Sequence, residues 1–390
     1  MAKKKLHKGL AIFCGIVSFI VGLCVGIVGC LYLNGGSYSM PQTEKAITSV
    51  AQGNFNVEEI KSKDLSVHFI ELGNKYTGDC TFIKVGDVEV LIDAGSRASS
   101  IAPIYDYVST YIEGKLDYVI VTHAHRDHYA GFATSNYDDS LFKKLDCDNV
   151  IYFSNTEATS NMYQYFMNNL EEVKTEDNAK VYTALECYNN QNGAQREIEL
   201  STEVTLQILY QKYYEEDATS ENDYSVCCML NQKDEKYYLF TGDLEEEGEK
   251  SLVDEYKKEY GVDLPQVELY KAGHHGSKTS SSEYMLNIIK PKVVCVCCCA
   301  GSSEYTATNE NQFPTQTFVD RISEHTKNVY VTTLCLDYKK ASYQSMNGNI
   351  VVTSNKEDRG VVVACANNNT LLKDTEWFKS NRKTPVKWAS

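Results

Sequence analysis

The sequence predicts a mixed α/β fold, on three observations. Short runs rich in β-branched and aromatic residues alternate with stretches whose apolar residues recur at helical spacing. Hydrophobic residues make up 43% and charged residues 23% of the 390, a globular composition long enough for one large domain or two ordinary ones. Candidate ligand clusters also recur just past the apolar β runs, where a rigid sheet can hold them within reach of substrate.

The elements follow in order. "LSVHFIEL" from Leu65 and "CTFIKVGDVEVLIDAG" from Cys80 are β-prone, with a turn at Gly86-Asp87 that predicts a hairpin. Ile101, Ile104, Tyr105, Val108 and Ile112 recur at helical spacing. "LDYVIVT" is a strand. Residues 135 to 220 are polar and less regular, with a helix expected around Met162 to Leu170 and an acidic loop near Glu215 to Asp223. "YSVCCML" and "KYYLFTGD" restore β character. A helix bearing Leu252, Val253, Tyr256 and Tyr260 on one face should end at Gly261. "VELYKAGHHGS" is a strand running into a histidine pair, and Ser282 caps a helix through Ile289, stopped before Pro291. "KVVCVCCCA", "NVYVTT" and "NIVVTS" are the last strands expected in the sheet.

The N-terminus has another character. Lys3, Lys4, Lys5 and Lys8 precede an uncharged run from Gly9 to Leu33, longer than the roughly 20 residues a helix needs to cross a bilayer. The expected organisation is a cytoplasmic basic stub at 1–8, a transmembrane helix at 9–33, a linker at 34–63, a catalytic domain at 64–366 and a tail at 367–390. The lysines place that domain outside the cell membrane. Lipidation at Cys30, after a lipoprotein-like cleavage box, is the alternative route to the same face. The formal net charge of −15 is poor for long-range capture of polyanions. Cys295, Cys297, Cys298 and Cys299 fall in one apolar strand, where neighbours face opposite ways, so they read as small core residues.

The chemistry lies in four clusters. Asp93 follows "VEVLI", His123 to His128 follow "DYVIV", Asp243 follows "YYLF", and His274-His275 follow "VELYK". Five of the eight histidines fall in two of these clusters. His123 and His125 can share one metal, while Asp127 and His128 offer an oxygen and a nitrogen to a second. Imidazole with carboxylate suits zinc, with manganese or iron next.

"THAHRDH", with "LIDAG" upstream and "FTGD" and "HHGS" downstream, resembles the HxHxDH signature and companion blocks of the metallo-β-lactamase superfamily. Over about Leu65 to Ser354 the chain is more narrowly similar to the hydrolase domain of ComEC-type DNA-uptake proteins and their free-standing relatives. The resemblance implies an αββα sandwich of two mixed sheets. It implies one metal on His123 and His125, another on Asp127 and His128, Asp243 bridging, and one of His274 and His275 completing the second site. Asp93 would orient a ligand histidine. No histidine lies between His128 and Asp243, which leaves the first metal short of a ligand. His125 stands where ComEC-type domains often have aspartate, and Phe313 where they tend to have histidine.

The expected function is a membrane-anchored, outward-facing hydrolase with two divalent ions, Zn2+ or Mn2+. Its substrate would be a phosphorylated small molecule or a nucleic-acid-type phosphodiester, with Asp127 helping to hold the water. Lys271, Ser277, Lys278, Asn222 and Ser225 are candidate substrate contacts. The alternatives are cleavage of a lactone, amide or cell-wall phosphocholine ester, or a non-catalytic metal-binding sensor. No specific protein partner is evident.

Overall fold

The computed structural model describes residues 46–389. The basic stub, the 9–33 span and the first part of the 34–63 stretch lie outside them. Among the described residues no helix is long and apolar enough to cross a membrane. Residues Ile47–Ser390 cluster as one unit.

The described part opens with β1 (Ala51–Gln52), β2 (Leu65–Phe69), the hairpin β3 (Thr81–Val85) and β4 (Val88–Ile92), helix α1 (Ile101–Val108) and β5 (Leu116–Val121). Next come β6 (Cys147–Tyr152), α2 (Asn161–Thr175), β7 (Lys180–Thr183), β8 (Glu197–Glu199) and β9 (Val204–Leu209). Then follow β10 (Cys227–Gln232), β11 (Lys236–Phe240), α3 (Glu246–Tyr260), β12 (Leu269–Lys271), α4 (Glu283–Ile289), β13 (Val293–Ala300) and α5 (Gln316–Ser323). The last strands are β14 (Val329–Asp337), β15 (Ser342–Ser345), β16 (Ile350–Ser354) and β17 (Val362–Cys365).

These strands form two mixed sheets. The order is β1-β17-β16-β2-β3-β4-β5-β6-β7 in one and β15-β14-β13-β12-β11-β10-β9-β8 in the other. In the first, β16 to β4 run antiparallel and β4 to β7 parallel. In the second, β8 to β11 are antiparallel and β11 to β14 parallel. Parallel neighbours carry their C-terminal ends to one edge, and that edge is where every histidine cluster falls.

β13 shows how the layers assemble. Cys295 and Cys297 face the core shared with Val67, Phe69 and Val352 of the other sheet. Val294, Val296 and Cys298 face the opposite way, onto Leu252 and Val253 of α3, Met285 and Leu286 of α4, and Phe318 of α5. On the other side, Ile104 and Val108 of α1 and Phe166 and Leu170 of α2 join the first sheet's core. The result is helix, sheet, sheet, helix. Gly261, with φ of 72°, ends α3, and the Ser282 hydroxyl accepts from Met285 N to begin α4.

The structure differs from expectation in three places. Residues 135 to 220 supply β6 to β9, which widen both sheets; their alternation is diluted by polar residues at exposed sites such as Asp148, Lys180, Glu197 and Glu199. "NVYVTT" and "NIVVTS" lie in different sheets, because the chain crosses between them after β15. The compact unit also takes in residues on both sides of 64–366. β1 pairs in parallel with β17, and Phe378 and Trp388 are buried in the helical layer over the second sheet.

Candidate metal centre

The two sheets meet at the ligand-bearing edge through Val226 N, which donates to Thr122 O at 2.9 Å. Asp93 follows β4 with φ of 63°, and His274 and His275 follow β12 with φ of 46° and 55°. Left-handed backbone at such residues costs of order 1 kcal/mol or more each and persists where surroundings over-determine it. Gly242, just before Asp243, has φ of 54°, and a Cβ there would lie 2.7 Å from Ser225 Oγ. Only glycine lets Asp243 N reach Ser225 Oγ, at 3.1 Å.

One group of side chains centres on Asp243. His128 Nε2 lies 3.0 Å and His275 Nε2 3.1 Å from Asp243 Oδ2. Asp127 Oδ2 lies 3.3 Å from His275 Nε2. His275 Nε2 is buried, with no partner in hydrogen-bonding geometry although both carboxylates lie close. The opposite nitrogens are tied down. His128 Nδ1 meets Asp93 Oδ2 at 2.7 Å, and Asp93 in turn accepts from Thr122 N and Oγ1, both at 2.8 Å. His275 Nδ1 meets Cys297 O at 2.9 Å and Asp79 Oδ1 at 3.0 Å. Burial opposes charge on His128, yet Asp243 and Asp93 carry its pKa up to about 10. Burial likewise opposes ionisation of Asp127, but the His275 contact and the His128 charge hold it well below the usual carboxylate range.

A second group lies alongside. The His123 and His128 rings are 4.2 Å apart between centroids. His123 Nδ1 faces the hydroxyls of Thr122 and Ser225, at 3.1 and 3.4 Å, so Nε2 points outward, 3.1 Å from His125 Nδ1. Burial first, then His128 and His125, keeps the His123 ring well below its ordinary pKa and therefore neutral. Asn222 Oδ1 is 2.8 Å from His125 Nδ1.

The remaining candidates fall elsewhere. His274 turns from the cluster, its Nδ1 3.1 Å from Thr279 Oγ1 and 3.4 Å from Glu245 Oε1. Lys271 is not on the open side. Only 3% exposed, it lies behind the cluster, donating to Gly242 O at 2.9 Å and pairing with Asp79. Lys278 is exposed and reaches Asn311, and Ser277 Oγ bonds within its own turn to Thr279. Neither comes to the metal ligands: Lys278 lies on the surface, and Ser277, though buried, is turned to Thr279.

Two participants escaped the sequence reading. Asp79 belongs to the group Asp79, His128, Asp243 and His275, whose ligand atoms lie within 4.8 Å of one another. It precedes a strand instead of following one; the only signal was Gly78-Asp79 before "CTFIKV". A Cβ at residue 78 would lie 2.7 Å from Asp127 O, so glycine there lets the loop close on the HxHxDH turn. Tyr305, in the loop after β13, donates to Asp127 Oδ2 at 2.7 Å.

The residues fit divalent metals. Imidazole and carboxylate atoms spaced near 3 Å match the separation, about 3.3 Å, of two ligands on one zinc. Four layers with this cluster at one edge define a metallo-β-lactamase-type fold carrying a candidate metal centre. The family model described as Anti-Pycsar protein Apyc1 matches residues 70–287, and the chain belongs to that family. Competence protein ComA of Neisseria gonorrhoeae is 38% identical over 87 residues, 22% of this chain and 11% of that protein. Recombination protein 2 of Haemophilus influenzae is 32% identical over 77 residues, 20% of this chain and 9% of that protein. The matched segments thus span about a tenth of either relative. Among solved structures, the metallo-β-lactamase fold protein YhfI from Bacillus subtilis has 14% identity and a TM-score of 0.33, over 54% of this chain and 71% of that one. A Cronobacter sakazakii metallo-β-lactamase has 14% identity and a TM-score of 0.28, over 50% of this chain and 74% of that one.

Proposed function

We propose that the chain is a dinuclear metal-dependent hydrolase of phosphoester or phosphodiester bonds. The observation that carries this reading is the convergence of His128 Nε2 and His275 Nε2 on Asp243 Oδ2, with His123 and His125 beside them. Divalent ions held by these two groups, zinc or manganese, would supply Lewis acidity toward a phosphoryl oxygen and activate water. The chain's own residues do the rest. Asp243, whose Oδ2 faces His128 and His275, would offer its carboxylate as the ligand shared between the ions. Asp93 fixes the His128 ring by its Nδ1, leaving Nε2 to ligate. Asp127 is ionised at neutral pH and partly open to solvent, so it can accept a hydrogen bond from a water and help hold it.

The partial matches to a competence protein and a recombination protein support a phosphodiester substrate, as does the motifs' resemblance to ComEC-type domains. The family's printed role, action against Pycsar, enters the same proposal: the bond cleaved belongs to a Pycsar component. The test is metal analysis of the purified full chain, then a screen of bis-p-nitrophenyl phosphate beside lactone, amide and phosphocholine ester substrates. Close to two ions per chain and metal-dependent turnover of the phosphodiester are expected. Turnover of another bond alone would change the substrate class. Metal binding with no turnover would favour a sensor, and no bound ion would overturn the whole reading.

We further propose that residues 9–33 anchor the domain on the outer face of the cell membrane. Protease added to intact cells should then reach the domain. Protection until lysis would reverse that orientation, and a lipid precursor would label the chain only if Cys30 is modified.

A further inference from the structure

We infer that Asn222 is a third protein ligand of the His123–His125 site, its carboxamide oxygen serving where the sequence lacks another histidine. The inference rests on the dinuclear reading above. His123 Nε2 is 3.1 Å from His125 Nδ1, and Asn222 Oδ1 is 2.8 Å from that same nitrogen. His125 Nδ1 therefore has a second imidazole nitrogen and an amide oxygen both within contact distance. His123 can offer only Nε2, because its other nitrogen faces Thr122 and Ser225. The amide is oriented by chemistry: Asn222 Nδ2 donates to the Glu245 carboxylate at 3.3 Å, which turns the oxygen toward His125.

The position is also rigid. Asn222 is 5% exposed, on the short turn Glu221–Tyr224. The Glu221 carboxylate clamps that turn to the HxH loop, accepting from Thr156 Oγ1 at 2.7 Å, Glu157 N at 2.9 Å and Ala124 N at 3.3 Å. A buried amide held this firmly against a histidine pair is suited to ligation. A neutral amide oxygen is a harder donor than imidazole and adds no charge. The first site therefore holds its ion less tightly than the Asp127–His128–His275 site and discriminates less against manganese.

The test uses the full chain, with ions counted under graded chelator and Co2+ uptake followed by its d–d absorption. Wild type should release two ions in two steps. Asn222→Ala should weaken the first-released ion alone, by about 10–100-fold, and alter its Co2+ band. Asn222→Asp with Glu245→Gln exchanges amide and carboxylate, keeps the contact and the net charge, and should tighten that ion. This pair serves if the alanine variant folds poorly, which thermal unfolding reports. Unchanged affinity and an unchanged Co2+ spectrum in either variant would overturn the assignment. A wild type that binds no ion would overturn the dinuclear reading instead, and this inference with it.

Discussion

Tyr305 donates its phenol proton to Asp127 Oδ2 at 2.7 Å across 178 residues of sequence. The residue is 56% exposed while its hydroxyl closes on the partly open carboxylate of the HxHxDH motif. A donor there fixes Asp127 and tempers its basicity. A hydrogen bond to a charged group contributes about 1.5–3 kcal/mol. Tyr305→Phe should therefore keep both ions, and its kcat should fall about 10-fold. Loss of metal, or an unchanged rate, would deny Tyr305 this part.

The two histidines of "HHGS" should not be equivalent. Only His275 converges on Asp243, whereas His274 is engaged by Thr279 and Glu245. His275→Ala should lose the ion of the Asp127–His128 group, and His274→Ala should keep both ions. Asp243→Ala should lose most of both, since the proposed centre makes its carboxylate the shared ligand. Metal counted on the three purified variants decides this; equal losses in the two histidine variants would contradict the geometry.

Much of this site was legible because its ligands follow apolar strands, where periodicity is strong. Asp93, His123, Asp243 and His275 all follow β runs that the sequence displays plainly. Asp79 was invisible for the converse reason: it enters a strand, and only the folded chain brings it within 3.0 Å of His275. Lys271 was legible as a charge but not as a direction. The β6 to β9 region failed because its polar residues mask the two-residue period. The four-layer arrangement was implied by resemblance; the strand order was not, because pairing such as β2 with β16 joins segments hundreds of residues apart.

Metal uptake should release protons. In the ion-free chain burial opposes charge on His128, but Asp243 and Asp93 carry its pKa up to about 10 against an ordinary 6.5. The ring is therefore protonated at neutral pH and must lose that proton to ligate. Apparent affinity should rise from about pH 7 to about pH 9. For the ion-free chain the sign is opposite. A raised histidine contributes stability that is full below 6.5 and lost as pH rises through about 10. Calorimetry in buffers of differing ionisation enthalpy, with denaturation of the chelated protein, checks both. Metal binding without proton release would mean that His128 is neutral before the ion arrives.

The last prediction separates Lys271 as a buried counter-ion from Lys271 as a substrate contact. Asp79 lies on the Nδ1 side of both imidazoles, 3.0 Å from His275 Nδ1 and 3.7 Å from His128 Nδ1, while both Nε2 atoms point away to Asp243. It therefore backs the ligands, and its other partner is the Lys271 ammonium. Removing one member of a buried pair leaves a bare charge and costs about 3–5 kcal/mol. Lys271→Met should destabilise the fold by that order. Asp79→Asn combined with Lys271→Met should cost less than the two single changes added, because neither member of that pair is left facing the other's absence; the part of the cost due to Lys271 beside Asp243 Oδ1, at 3.5 Å, remains. Two ions should still bind to Lys271→Met, since no ligand is lost. A substrate contact predicts the reverse pattern: stability unchanged, KM raised, and no coupling to Asp79. Denaturant unfolding of the four proteins in the cycle, beside KM for the lysine variant, distinguishes them.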